Sequence, residues 1–455
     1  MKITSLFFPA LFLFGLSGPF ALAQTVEKQK PNIIIIYADD LGYGDLSSYG
    51  GDISTPNIDR IGQTGIRFTD FYVSAPVCTP SRYSLLTGSY PQRSLHDLDK
   101  VIMPGDENHF DEDEVTLAEL LKAQGYQTAI TGKWHLGSAQ PSYLPMHQGF
   151  DLFSGHKAGC IDYFHHVYGG IGNFWFVNGK SAKEEGYSTD LITDHAVDFI
   201  ESTKSGTNPF FLYIPYNAPH FGKTDPDNVP EVTALLFEGE YKNYKIMNSL
   251  QAPDEYVKRF AHIEDRYRRL YSAMVASLDD NVGRLWEKLE KENLLANTII
   301  WFVSDNGGYS ETYYGHASNG SLRGEKATLW EGGIRVPAMV CWRGSIEPGQ
   351  VINQPICNID IVPTTAAIGG FSNSLSKLPI DGIDISPVLF NQAAEERDIF
   401  WRYKDETAFR RGNWKLRNFN ELYNLSTDIN EQNNVADAYP DKLKELQQAF
   451  KAVNL

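Results

Sequence analysis

Three groups of residues in this chain are of types, and at spacings, that could do chemistry. The first is the adjacent pair Asp39 and Asp40, just beyond the apolar run Pro31 to Tyr37, with a counterpart in Asp305 and Asn306 beyond the run Thr298 to Ser304. Oxygen donors with no histidine or thiolate among them suit a hard cation, calcium or magnesium, better than zinc. Singly, either pair could instead cap a helix or a turn, as Asp and Asn often do. The second group is the stretch Cys78, Thr79, Pro80, Ser81, Arg82, continuing Tyr83, Ser84, Leu85, Leu86, Thr87, Gly88. A lone cysteine there is ordinarily a small buried side chain, so a reactive role needs a further reason. The third comprises Lys133, His135, His220 and Lys326. Lysines neutralise anions and histidines move protons near neutral pH, although each alone is more often a solvated or hydrogen-bonded residue.

Rigid elements must hold these groups, and the periodicity predicts them. Pro31 to Tyr37 reads as a buried strand. Thr116 with Glu119 forms a capping box ahead of Leu117, Leu120 and Leu121, Gly125 suits the helix stop, and a strand from Gln127 to Thr131 leads into Lys133 and His135. The unit recurs with Leu191, Ile192, His195, Ala196, Phe199 and Ile200 on one helix face, then the strand Phe210 to Tyr216 leading to His220. A long helix carrying Leu270, Met274, Leu278, Val282, Leu285 and Leu289 precedes the strand Thr298 to Ser304. This alternation predicts an α/β sheet covered on both faces, with the polar groups at the carboxyl ends of its strands, where open sheets bind ligands. From about Ser372 the sequence turns polar and Asn-rich, with short strands Ile399 to Tyr403 and Trp414 to Leu416 and a last helix Pro440 to Ala452.

The run Cys78 to Arg82 resembles the formylglycine signature of the sulfatases, in which cysteine, any residue, proline, serine and arginine are read by a maturation enzyme that oxidises the cysteine to an aldehyde. Two further stretches are similar to segments of the same family: Gly125 to Gly137, containing Lys133 and His135, and Arg323 to Lys326 followed by Glu331 to Pro337. Three motifs in the expected order are far more specific than one. The resemblance implies the fold of alkaline phosphatase relatives, a large mixed sheet flanked by helices with a smaller C-terminal α+β subdomain. It implies that Asp39, Asp40, Asp305 and Asn306 hold one calcium ion together with the formylglycine (3-oxoalanine) from Cys78. Arg82 would stabilise the hydrated aldehyde, Lys133 and Lys326 the sulfate oxygens, and His135 and His220 the proton transfers. An aldehyde hydrate carries two hydroxyls on one carbon: one attacks sulfur, and the other, deprotonated by His135, then expels sulfate and restores the aldehyde.

Composition bounds the partners. A formal net charge of -17 disfavours nucleic acid and requires local cations to hold any anionic substrate. Lys2, the apolar stretch Leu6 to Leu16 and Ala21-Leu22-Ala23 read as a signal peptide over 1–23, too short and too broken by glycine and proline to span a membrane. Gln24 rather than cysteine follows the expected cut, so a periplasmic or secreted protein without a lipid anchor is expected, with a catalytic domain over 24–371 and a subdomain over 372–455. Cys78, Cys160, Cys341 and Cys357 are too few for a disulfide framework, though Cys341 with Cys357 could pair in an oxidising compartment. Gly155 to Tyr168, holding His156, Lys157, Asp162, His165 and His166 among aromatics, suits a sugar face, with His165 and His166 as candidate sugar contacts; a metal site or a packed loop are its other readings. The segment Phe221 to Phe260 is placed as a rim over the pocket. The expected substrate is a sulfated carbohydrate, a galactan or glycosaminoglycan oligosaccharide. The alternatives are an arylsulfatase of broad specificity, a phosphonate monoester or phosphodiester hydrolase of the same superfamily, and a glycan-binding protein without chemistry.

Overall fold

The computed structural model describes Met1 and residues 30–111, 113–224, 234–241, 244–310, 316–392 and 396–453, with backbone alone for 205, 234–241 and 244–246. Residues 2–23 of the expected signal peptide therefore lie outside the described residues. No described helix is long and apolar enough to cross a membrane.

Five parallel strands form the centre of a ten-stranded mixed sheet, in the spatial order Thr298–Ser304, Asn32–Asp39, Phe210–Pro219, Gln127–Lys133, Leu152–His156. Ala338–Trp342 extends it antiparallel on one side and Trp175–Val177 on the other. The apolar run of the Asn32–Asp39 strand follows from its place between two layers: Ile34 and Ile36 pack into one core, Ile33, Ile35 and Tyr37 into the other. The first core is closed by the helices Ser188–Ser202 and Arg266–Lys291, the second by Cys78–Thr87, Leu117–Ala123 and Ile361–Gly369. The capping box at Thr116 and Glu119 is formed as the sequence predicts.

All four cysteines are free and buried, which corrects the Cys341–Cys357 pairing. Cys341 sits within the large sheet, whereas Cys357 lies on the short strand Ile356–Cys357, paired with Phe71–Tyr72, and in a separate core.

The C-terminal lobe is a four-stranded antiparallel sheet, Asp398–Tyr403, Glu406–Arg411, Trp414–Arg417 and Glu421–Asn424, with the helix Pro440–Ala452 packed on it through Phe450. Buried ion pairs fasten it to the large sheet. Lys415 Nζ lies 3.0 Å from Glu331 Oε1 and 2.7 Å from Glu431 Oε1, with all three side chains out of solvent. Arg335 and Arg410 bracket Asp70 at 2.8 and 2.9 Å. Against the cost of burial, Lys415, Arg335 and Arg410 hold the Glu331 carboxyl down to about 2. Removing one partner of such a group strands the others as buried charges. Lys415→Met is expected to cost about 3–5 kcal/mol of unfolding free energy, read by denaturant titration; a loss under 1 kcal/mol would show that Glu331 and Glu431 do not depend on Lys415 for their compensation.

Candidate active site

Each of the five parallel strands ends on, or within two residues of, a polar group. Asp39 and Asp40 follow the central strand, Lys133 and His135 the Gln127–Lys133 strand, His220 the Phe210–Pro219 strand, and Asp305 and Asn306 the Thr298–Ser304 strand; His156 closes the fifth. Asp40 and His135 take positive φ, 62° and 57°, an uncommon conformation for residues with a side chain, and one that functional sites often hold. Cys78 opens the wholly buried helix Cys78–Thr87, and Arg82 lies one turn further on.

Arg82 Nη2 donates to Asp305 Oδ2 at 2.8 Å and lies 3.6 Å from Asp39 Oδ1. Lys133 Nζ donates to Asp39 Oδ2 at 2.5 Å, and Lys326 Nζ to Asp40 Oδ1. Asn306 Nδ2 reaches Asp40 Oδ1 at 2.7 Å, and His220 Nε2 stands 3.3 Å from Asp40 Oδ2. Three carboxylates thus balance three cations, and yet Asp39 Oδ1, Asp40 Oδ2 and Asn306 Oδ1 are buried without a hydrogen-bond donor among the described residues. Unpartnered buried oxygens are costly and call for a ligand. Burial and the nearby Asp39 charge also push the Asp305 carboxyl up to about 6, despite Arg82. Oxygens from two acids and an amide fit a hard divalent cation.

The imidazoles differ in what their partners impose. His135 Nε2 lies 2.8 Å from the Ile102 carbonyl oxygen, which can only accept, so the proton sits on Nε2 and the buried Nδ1 keeps its lone pair without a partner. Burial, then the Lys133 charge, hold its pKa well below the ordinary range. His220 Nδ1 donates to the Phe221 carbonyl at 2.6 Å, turning Nε2 towards Asp40. Burial lowers the His220 pKa as well, with Asp40 opposing. The Cys78 thiol is pushed up by burial against Lys133 and Lys326, so it stays protonated and is a poor nucleophile.

A cavity of about 580 Å³ opens over this group, with Cys78, His135, His220 and Lys326 among its lining residues. Lys133 and Arg82 lie behind it, fully buried. Its outer wall includes Met103, Tyr168, Phe221, Tyr309, Tyr403 and Lys404. His165 and His166, the candidate sugar contacts, are not among the lining residues: His166 is buried against Trp175 and the Gly186 carbonyl, and His165 is exposed and tied to Asp162. His156 is buried beside Lys133 rather than in the wall. Of the expected rim, Phe221 and Lys223 line the cavity, while 225–233 lie outside the described residues.

The family model described as Sulfatase matches residues 31–371, well over half the chain. The chain is a sulfatase. Arylsulfatase A of Bos taurus is 31% identical over 500 residues, spanning 95% of this chain and 89% of the relative. N-acetylgalactosamine-6-sulfatase of Sus scrofa is 32% identical over 407 residues, 85% of this chain and 71% of the relative. The solved structure of Ps i-CgsB in complex with k-i-k-neocarrahexaose superposes with a TM-score of 0.80 at 32% identity, covering 93% of this chain and 92% of that one. The fold of this sulfatase is accordingly that of alkaline phosphatase relatives. It is a sulfuric ester hydrolase, which sets aside the reading of a glycan-binding protein without chemistry. The sulfatase family works through a formylglycine and a metal ion.

Proposed function

We propose that this sulfatase removes sulfate from a sulfated carbohydrate, an oligosaccharide derived from a galactan or a glycosaminoglycan, using a formylglycine made from Cys78 and one calcium ion. The observation that carries this reading is the floor of the cavity, where Cys78, His135, His220 and Lys326 converge beside three unpaired oxygens of Asp39, Asp40 and Asn306. Calcium held by Asp39, Asp40, Asp305, Asn306 and the modified residue 78 would supply the positive charge that draws in the sulfate ester and acidifies the attacking hydroxyl.

The chain's own residues do the rest. Lys326 and Lys133 neutralise sulfate oxygens, acting where negative charge gathers in the transition state. Arg82, fixed by Asp305, holds the hydrated side chain of residue 78 in place. His135 presents an unprotonated Nδ1 to take the proton of the second hydroxyl. His220, its Nε2 3.3 Å from Asp40, which offsets part of the lowering that burial imposes, is assigned to protonate the departing oxygen. The aromatic wall of Tyr168, Phe221, Tyr309 and Tyr403 suits the face of a sugar. The carrageenan-type oligosaccharide bound by Ps i-CgsB and the sugar sulfate named for the Sus scrofa enzyme support the same substrate class. We further propose export through the segment 1–23, a maturation enzyme as partner, and a division of the mature chain near residue 371.

Release of sulfate from a panel of sulfated oligosaccharides, beside turnover of aryl sulfate and aryl phosphodiester, tests this reading. Sulfate release from a sugar supports it; aryl sulfate turnover alone would leave a broad arylsulfatase, and faster phosphodiester cleavage a diesterase. Two results follow from the imidazoles. Because His135 works unprotonated and its pKa is lowered, its protonation sets in only below the ordinary imidazole value, so the acid limb of kcat/KM should fall below pH 6.5; a limb at or above 6.5 would contradict the assignment. His220→Asn should cost about 10²–10⁴ in kcat on a sugar sulfate, whose alkoxide needs a proton, and much less on a nitrophenyl sulfate, whose leaving group does not. Equal losses on both would remove His220 from that role.

A further inference from the structure

We propose that Lys223 and Lys404 form a second anion site at the mouth of the cavity, for a sulfate or carboxylate on a sugar next to the one being desulfated. The inference rests on the carbohydrate reading and narrows it to polyanionic saccharides.

The two lysines reach one cavity from different parts of the chain. Lys223 belongs to the short strand Gly222–Thr224, three residues beyond His220, and Lys404 sits in the two-residue turn joining Asp398–Tyr403 to Glu406–Arg411. Their charges are unspent. Arg82, Lys133 and Lys326 each face a carboxylate, but among the described residues neither Lys223 nor Lys404 is ion-paired with one. Lys223 Nζ donates to Asn248 Oδ1 and stands 5.4 Å from the Phe221 ring; Lys404 Nζ stands 5.3 Å from the Tyr403 ring. Glu325, the carboxylate among the lining residues, accepts from the Ser310 backbone N–H at 2.7 Å. In a chain of net charge -17, two cations without acid partners at one opening make a local positive field.

Depth separates this pair from the sulfate under attack. Lys326 is buried at the floor beside Cys78, Lys223 is half-buried and Lys404 exposed, so the free charge lies outward of the reacting group, where an adjoining sugar would project. Lys404 also holds φ at 52°, a turn position that glycine or asparagine would occupy with less strain. Lysine recognises charge rather than a planar shape, so sulfate and carboxylate are both accepted chemistries.

Competition against 4-nitrophenyl sulfate turnover by the matured enzyme tests the site, with three disaccharides as inhibitors: one with a single sulfate, one with sulfates on both sugars, and one with a sulfate beside a uronate. The dianionic sugars should bind about fivefold or more tighter than the monosulfated one at low salt, with the advantage shrinking as salt rises. Whether the disulfated or the uronate sugar gains more identifies the group preferred. Lys404→Gln and Lys223→Gln should each bring the ratio of inhibition constants towards one, and Lys404→Arg should keep it; a general loss of fit would raise all the constants together. Equal constants in the unaltered enzyme, or a ratio unmoved by both Gln variants, overturn the site while leaving the carbohydrate reading intact. Failure of all three sugars to compete overturns both.

Discussion

Cys78→Ala, or the native sequence made without a formylglycine-generating partner, is expected to fold and to lose aryl sulfate turnover by about 10⁵-fold or more, the scale on which loss of a covalent nucleophile is felt. The reason lies in the thiol's surroundings. Cys78 is 3% exposed, and burial raises its pKa despite Lys133 and Lys326, so little thiolate forms and the unmodified side chain cannot stand in for an ionised hydroxyl. Mass spectrometry of the peptide spanning Cys78 must then track activity: the aldehyde in active protein, the thiol in inactive protein. Full activity with an intact thiol would sink the formylglycine proposal. The whole helix Cys78–Thr87 is buried, so an enzyme that reads Cys78 to Arg82 needs the chain before it folds, and co-expression should succeed where treatment of folded protein fails.

Chelation should have an effect of similar size. Stripping divalent cations with EDTA is expected to abolish turnover, calcium to restore it better than magnesium, and the unfolding temperature to rise by several degrees on calcium addition, since saturation at about 100 times Kd contributes about 2.7 kcal/mol. The proposal of calcium rests on a donor set of carboxylate and amide oxygens, with Lys133 and Lys326 on the other oxygens of Asp39 and Asp40, since calcium accepts more varied coordination than the octahedron magnesium demands. Asp40→Asn is the sharper probe. Asn tolerates the φ of 62° and keeps the shape, but removes a charge that faces Lys326 and His220 and one of the oxygens proposed to hold the ion. It should abolish the thermal shift with calcium along with activity. A retained shift would place the ion elsewhere.

Much of this was legible in the linear sequence, for identifiable reasons. The strands Asn32–Asp39, Phe210–Pro219 and Thr298–Ser304 announce themselves because both their faces are buried, and the acids and histidine follow at their carboxyl ends. The order in which those strands pair is set by contacts between residues 266 positions apart, as at Asn32 and Thr298, and no local pattern carries it. The outer wall was illegible for the same reason. Tyr403 reads only as the end of a short strand until folding brings it to the same cavity as Met103, Phe221 and Tyr309. His165 and His166 stand out in the sequence by adjacency, whereas their partners, Asp162, Trp175 and the Gly186 carbonyl, come from the loop and strand around them and no local pattern announces them. Lys223 could have been found, since a cation three residues beyond a candidate proton donor, in a segment already placed at the rim, is a signal in itself.

The turn at Lys404 lies beyond residue 371, where the family match ends, yet it forms part of the cavity wall and is anchored through the buried Glu331–Lys415–Glu431 cluster. Part of the wall around the reacting groups is therefore written outside the stretch that carries them. Lys404 belongs to no strand of the large sheet, so the opening can be re-lined there without rebuilding the elements that hold Cys78.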